Sequence, residues 1–173
     1  MPLQIIQLPT DEWTRYRDIR LAALLESPNA FCSTFNTEAV FSEEQWKSRM
    51  PRMWFAVGDD SPSLCGMIGL ILQSNDTTSA HVVSFWVSPP CRCKGVGKAL
   101  LRHVQTFHFT SGSPLKKICL DVIVTQTEAI GLYHRLDFRI VALEKNAVLR
   151  ESGNLDQYRM EWHAHCLIFQ TNN

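Results

Sequence analysis

From Thr77 to Leu120 the chain contains no aspartate or glutamate. The same stretch holds Arg92, Lys94, Lys98, Arg102, Lys116 and Lys117, whereas residues 1–76 carry ten acids against six bases. The middle of the chain is therefore suited to meeting an anion. The net charge over the whole chain is zero, which argues against a nucleic-acid binder held by bulk electrostatics. Nowhere is there a run of the roughly 18 apolar residues that a membrane span needs. Met1 to Thr10 has neither a basic start nor a long apolar stretch, so no signal peptide is expected. These absences predict a soluble, cytoplasmic protein with neither nucleic acid nor membrane as partner. Disorder is excluded by composition, with 45% hydrophobic and 20% charged residues.

The six cysteines, Cys32, Cys65, Cys91, Cys93, Cys119 and Cys166, are irregularly spaced and imply no disulfide framework. Cys91 and Cys93 form a lone C-x-C, and a structural zinc site needs a second ligand pair. No metal is expected.

At 173 residues, without repeats or a long linker, the chain reads as one domain over 1–173. Leu3 to Leu8 reads as a short strand. Asp11 to Leu25 has apolar residues at helical spacing (Trp13, Tyr16, Ile19, Ala23), with Thr10 or Asp11 as cap. Ser27-Pro28-Asn29 breaks this helix. Ser42-Glu43-Glu44-Gln45 fits a capping box and opens a second short helix, which Pro51 ends. The period then changes. Strands are predicted over 53–57, 64–72 and 80–87, joined by turns at Gly58 to Ser63 and at Asn75-Asp76. Pro89-Pro90 stops the third of them. A helix from Gly95 to about Phe109 places Val96, Leu100, Val104 and Phe107 on one face. Leu115–Val124 reads as a strand, Thr127–Arg135 as a helix, and Phe138–Leu143 and Tyr158–His165 as strands. This order implies an α/β sheet with helices on both faces. The crossover from the Ala80 strand through the Gly95 helix to the Leu115 strand should be parallel and right-handed.

The chemistry concentrates in Arg92-x-x-Gly95-x-Gly97, between a strand with a proline stop and an apolar helix. A pyrophosphate needs several N–H donors converging on its oxygens. The first turn of a helix has such donors unpaired, and its dipole adds about half a positive charge. Gly95 and Gly97 leave the backbone bare, and Arg92 can add a charge-assisted pair. The Walker pattern is absent, and the dinucleotide fingerprint lacks its third glycine.

The segment Val87-Ser-Pro-Pro-Cys-Arg92-Cys-Lys94-Gly95-Val-Gly97 resembles motif A of the GNAT superfamily of N-acetyltransferases, V-x-P-x-x-R/Q-x-x-G-x-G/A. Arg20 to Leu24 and Ser27 to Phe31 resemble its first-helix region. Leu120-Asp-Val122 and Gln126-x-x-Ala129-Ile130-x-Leu132-Tyr133-x-x-Leu136-x-Phe138 resemble its motif B. The likeness covers nearly the whole chain. It implies a mixed, mostly antiparallel central sheet of about six or seven strands with helices on both faces, and acetyl-CoA as cosubstrate. It also implies a bulged fourth strand from which the next strand splays. Phe85, Trp86 and Val87 would then line the pantetheine arm, and Arg92, Cys93, Lys94, Gly95, Val96, Gly97 and Lys98 would hold the pyrophosphate. Tyr133 matches a tyrosine that often stands near the coenzyme sulfur, where a hydroxyl of pKa about 10 can protonate the leaving thiolate. His81 occupies the place of a frequent glutamate base; either it or a chain of waters takes the proton of the amine. Two positions depart from the pattern. Gln126 stands where the family has an asparagine that reaches the coenzyme or caps the helix, so that Thr125 or Thr127 would cap instead. Asp137 stands where the family has glycine, and it tolerates left-handed geometry better than most residues.

The resemblance implies transfer of an acetyl group to a primary amine by direct attack in a ternary complex, by a monomer or homodimer. The acceptor region offers Phe31, Phe35, Glu38, Phe41, Glu43 and Glu44. Acids beside aromatics would suit a cationic amine, although the same residues could form a solvated face. Small amines, amino acids, an antibiotic and a protein amine stay open as acceptors. The departures at Gln126 and Asp137 keep a second reading alive, a non-catalytic module that senses acetyl-CoA.

Overall fold

The computed structural model describes residues 3–58, 63–111, 115–149 and 153–164, with the side chains of 108–111 left aside. Seven strands form one sheet: β1 (Gln4–Ile6), β2 (Met53–Val57), β3 (Leu64–Gln73), β4 (Asp76–Val87), β5 (Lys117–Ile123), β6 (Arg139–Val148) and β7 (Leu155–His163), in the order β1-β2-β3-β4-β5-β7-β6. Every neighbouring pair is antiparallel except β4 and β5, the parallel crossover expected from the sequence. Five helices accompany it: α1 (Trp13–Glu26), α2 (Phe35–Glu38), α3 (Glu43–Arg49), α4 (Val96–Ser111) and α5 (Thr127–His134). Among the described residues, no helix is long and apolar enough to cross a membrane.

Strand alternation decides which side chains meet which helices. In β2, Trp54 and Ala56 point to one face, where Val96, Leu100 and Val104 of α4 and Tyr133 of α5 close the core. Met53 and Phe55 point to the other, against Tyr16, Ile19 and Leu24 of α1 and Trp46 of α3. The helix face predicted for Val96, Leu100, Val104 and Phe107 is the one packed on the sheet. Tyr16 meets Trp46 edge-on, with ring centroids 5.4 Å apart.

The capping box of α3 forms as expected, Ser42 accepting from the Gln45 amide while the Gln45 side chain accepts from the Ser42 amide. Other local expectations fail. Neither Thr10 nor Asp11 caps α1; the chain enters it through a 3-10 turn, Thr10–Glu12, and the N-cap residue Glu12 makes no side-chain cap bond. Gln126 is the N-cap of α5, and neither Thr125 nor Thr127 supplies a cap bond. Thr34 caps the single turn α2, which the sequence reading passed over because one turn shows no periodicity. β4 starts at Asp76 rather than Ala80, because the Asp76 carboxylate gathers the Thr78 amide and hydroxyl and the Ser79 hydroxyl at its head. β6 runs on past Leu143 to Val148, its polar residues tolerated on an edge strand. The turn predicted over Gly58 to Ser63 falls mostly on residues 59–62, outside the described residues.

Asp137 has φ of 64°, and the Phe138 amide reaches back to the Tyr133 carbonyl at 3.1 Å, closing α5 with a left-handed cap. Asp137 is exposed, and its contact with Arg139 at 3.9 Å is a surface pair worth little. Asp137→Gly should therefore raise stability by up to about 1 kcal/mol. A melting curve checks this, with a rise of a few degrees expected.

Candidate active site

β4 carries an extra residue. Met67 pairs with Trp86 and Gly69 with Val83, so three steps on β4 face two on β3. Ser84 absorbs the bulge with φ of 54°. On its other edge β4 pairs with β5 only from Ser79↔Lys117 to His81↔Cys119. Beyond that point β5 keeps its full pairing with β7, while β4 follows β3. The two strands part there. The facing backbone of Val82–Val87 and of Leu120–Ile123 makes no ladder across the gap. Phe85 and Val87 lean toward the α4 side of the sheet, and Trp86 toward the α1 side.

At the end of β4 a short 3-10 turn, Pro89–Cys91, leads into a loop with two left-handed residues, Cys93 (φ 60°) and Gly95 (φ 84°). The first intrahelical bond of α4 runs from the Ala99 amide to the Gly95 carbonyl at 2.9 Å. The amides of Val96, Gly97 and Lys98 therefore have no partner within the helix. Arg92, Cys93, Lys94, Gly95 and Lys98 are all exposed here. The two glycines differ in role. A Cβ on Gly95 would meet nothing within 4 Å, so its need is the positive φ. A Cβ on Gly97 would lie 3.2 Å from Leu132 and 3.3 Å from Phe85, so its bareness lets α4 sit against α5 and β4.

Arg92 is tied down on the protein side. Its Nε donates to the Val87 carbonyl at 3.0 Å and its Nη2 to Glu26 Oε2 at 2.6 Å. Trp86 Nε1 donates to the same oxygen at 3.0 Å. Glu26, at the end of α1, thus joins the cradle loop to the strand before it. The hydrogen bond from Arg92, followed by that from Ser27, holds its pKa down at about 2.

Beside the parting strands lies a cavity of about 760 Å³ between α1, α3 and the sheet. His81, Ser84, Asp121 and Gln126 line it. His81 Nε2 is 3.4 Å from Asp121 Oδ2, and Asp121 also accepts from Arg159 Nε at 3.1 Å. Burial lowers the pKa of His81 and outweighs the opposing charge of Asp121, so the imidazole is neutral at pH 7. Tyr133, Phe85, Trp86, Val87 and the Arg92–Lys98 loop are not part of that lining. Tyr133 is buried between Phe85 and Phe138, at centroid distances of 6.1 and 6.0 Å. Burial pushes its hydroxyl well above the ordinary value of 10.

The remaining wall includes Phe31 and Glu38, expected in the acceptor region, together with the arginines Arg20, Arg49 and Arg52, to which the motifs assign no role. Arg20, on α1, holds Glu38 through two bonds, Nε to Oε2 at 2.9 Å and Nη2 to Oε1 at 2.7 Å. Arg49 reaches the same carboxylate at 3.3 Å. Burial drives the Glu38 pKa up, but the bond and charge of Arg20 outweigh it and the net shift is down. The sequence did hold a signal: Arg20 stands on the apolar stripe with Tyr16, Ile19 and Ala23, where an unpaired charge would be costly.

Glu26 has a depressed folded pKa, so its contribution to stability is present above the unfolded value of about 4.3 and is lost as pH falls toward about 2. Between those limits the melting temperature should fall less steeply for Glu26→Gln than for wild type. Parallel slopes in a pH series of melting curves would contradict this.

The family model for the acetyltransferase (GNAT) family matches residues 12–138. An N-acetyltransferase of Methanocaldococcus jannaschii is 33% identical over 73 residues, 42% of this chain and 46% of that protein. The matched region thus spans about half the length of that relative. The acetyltransferase of the GNAT family from Streptococcus pneumoniae has the same fold, with a TM-score of 0.82 at 14% identity over 94% of this chain and 99% of that one. A Salmonella typhimurium acetyltransferase structure containing its cofactor acetyl-CoA aligns with a TM-score of 0.74 at 14% identity, covering 95% and 96% of the two chains. The match of the family model across most of the chain establishes that this protein belongs to the acetyltransferase (GNAT) family.

Proposed function

We propose that this chain transfers the acetyl group of acetyl-CoA to a primary amine within a ternary complex. The observation that carries this reading is the continuity of two features along β4. The unpaired edge beyond His81 runs directly into the glycine loop and the free amides of α4. An extended amide-bearing arm with a pyrophosphate at one end suits that sequence of features. The acetyl-CoA bound in the Salmonella structure, on the same fold, supports it.

The Val96, Gly97 and Lys98 amides, with the charges of Lys94 and Lys98, would receive the pyrophosphate. Arg92 shapes this loop through Glu26 and the Val87 carbonyl. The open backbone of Val83–Val87 would pair with the amides of the pantetheine arm, with Phe85 and Val87 flanking it. Gln126, at the start of α5 and on the cavity wall, would meet the arm.

In the chemical step the nitrogen lone pair of the neutral amine attacks the thioester carbonyl. The C–N bond forms, the C–S bond breaks, and the amine loses a proton. Neutral His81, held by Asp121, is the base. The leaving thiolate needs stabilisation, and an ordinary thiol has pKa about 8.5. Burial makes Tyr133 a weaker acid than a free phenol. Its hydroxyl therefore serves the sulfur by donating a hydrogen bond while the charge develops.

Binding comes first as a test. Excess acetyl-CoA at about 100 times its dissociation constant should add about 2.7 kcal/mol of stability, a shift of several degrees that ATP does not reproduce. No shift would sink the cradle, and a shift with no thiol release from any amine would favour the sensor. Kinetics then separates the roles. Tyr133→Phe should lower kcat more than acetyl-CoA affinity. On a free-amine basis, wild-type kcat/KM should rise through a transition below the ordinary histidine pKa of about 6.5. His81→Ala should abolish that transition and cost about a hundredfold or more; full activity in this variant would remove His81 as base.

A further inference from the structure

The cavity beside the parting strands is cationic at the end away from His81. Arg20, Arg49 and Arg52 all line it, and Glu38 is the one carboxylate among them. Glu38 is fully buried and already engaged by Arg20 and Arg49. Arg52 is exposed and has no ion pair among the described residues. Two positive charges are left in excess there. Arg20 Nη1 is buried with no hydrogen-bond partner, on a side chain only 7% exposed. The Arg20 guanidinium lies over the Phe31 ring at 4.5 Å, and with no acceptor on that nitrogen the buried positive charge is only partly compensated.

The acids that suggested a cationic acceptor are not available to one. Besides Glu38, Glu43 pairs with Lys47 on α3 and Glu44 is exposed, and neither lines the cavity. The coenzyme phosphates do not account for the arginines either. The glycine loop begins past Val87, five residues beyond Val82 and so roughly 16 Å along β4. The arginine end lies sideways across the sheet. The Arg52 carbonyl accepts from the Leu70 amide at 3.0 Å, and Leu70 pairs with Val82, next to His81. Two strand spacings, about 10 Å, separate the Arg52 backbone from the strand that carries His81.

Building on the acetyl-transfer reading, we infer that the acceptor is an amine carrying a carboxylate or comparable anion. Its amine lies at His81 and Asp121, and Arg49 and Arg52 receive the anion. These two arginines set specificity. Arg20 takes both oxygens of Glu38, so that carboxylate, which also meets Arg49 at 3.3 Å, is shared between two cations and offsets Arg49 only in part.

The test measures thiol release for the standard amino acids beside their methyl esters, with simple diamines as a third set, all on a free-amine basis. The expected result is at least one amino acid preferred over its ester by about tenfold or more in kcat/KM. Arg49→Gln and Arg52→Asn should each reduce that preference by raising KM for the acid. Asparagine is chosen because position 52 has φ of 60°. Retention of the acetyl-CoA melting shift confirms that each variant is folded. Esters or diamines that match or exceed the acids in wild type overturn the inference and leave acetyl transfer standing. Acetyl-CoA binding with release from none of the three sets overturns the inference; release from a peptide or aminoglycoside amine then leaves acetyl transfer standing, and release from no amine overturns both.

Discussion

The parting of β4 from β5 is the feature around which the rest of the site is arranged. A parallel pair that stayed in register to Val87 would satisfy its own backbone groups and leave nowhere for a ligand. Here the pairing stops at His81↔Cys119. The bulge at Ser84 turns β4 while β3 stays bonded to it on the far edge, and β5 is held to β7 along its whole length. Each strand is stabilised from outside, so the gap between them can remain open. Unpaired backbone is costly only when it is shut away from water or a partner.

Contacts on either side keep that gap in shape. Glu26 accepts from Arg92 and from Trp86, tying the last turn of α1 to the end of β4 and to the loop before α4. Gly97 lets α4 close on Phe85 and Leu132, which holds the helix N-terminus at the mouth of the gap. On the other face Arg20 and Glu38 join α1 to α2, and Arg49 adds α3. That buried group costs desolvation, which the paired geometry offsets. It also leaves positive charge where the cavity opens.

Much of the fold was legible because its signals are local. The short apolar run Met53–Val57, the apolar face of α4 and the capping box at Ser42 depend on residues a few positions apart. The glycine loop was legible for the same reason. At Gly97 the fold adds a demand that spacing does not reveal: a Cβ there would crowd Leu132 and Phe85. Arg92 was expected to face a ligand alone, yet its partner Glu26 lies 66 residues away and could not be read from spacing. The acceptor wall was least legible. Glu38, read as available to a cation, is neutralised by arginines from two other elements.

Hydrophobic period, prolines and glycines act through the chain's own neighbours, and they were enough to give the order of the seven strands and of every helix but the single turn α2, the strand-stop-glycine-helix segment and the family resemblance. Tertiary structure alone decided where β4 leaves β5, that His81 comes within 3.4 Å of Asp121, and which charges are spent and which remain. Those outcomes depend on desolvation and on partners brought together from distant positions, and a linear sequence carries no distance between them.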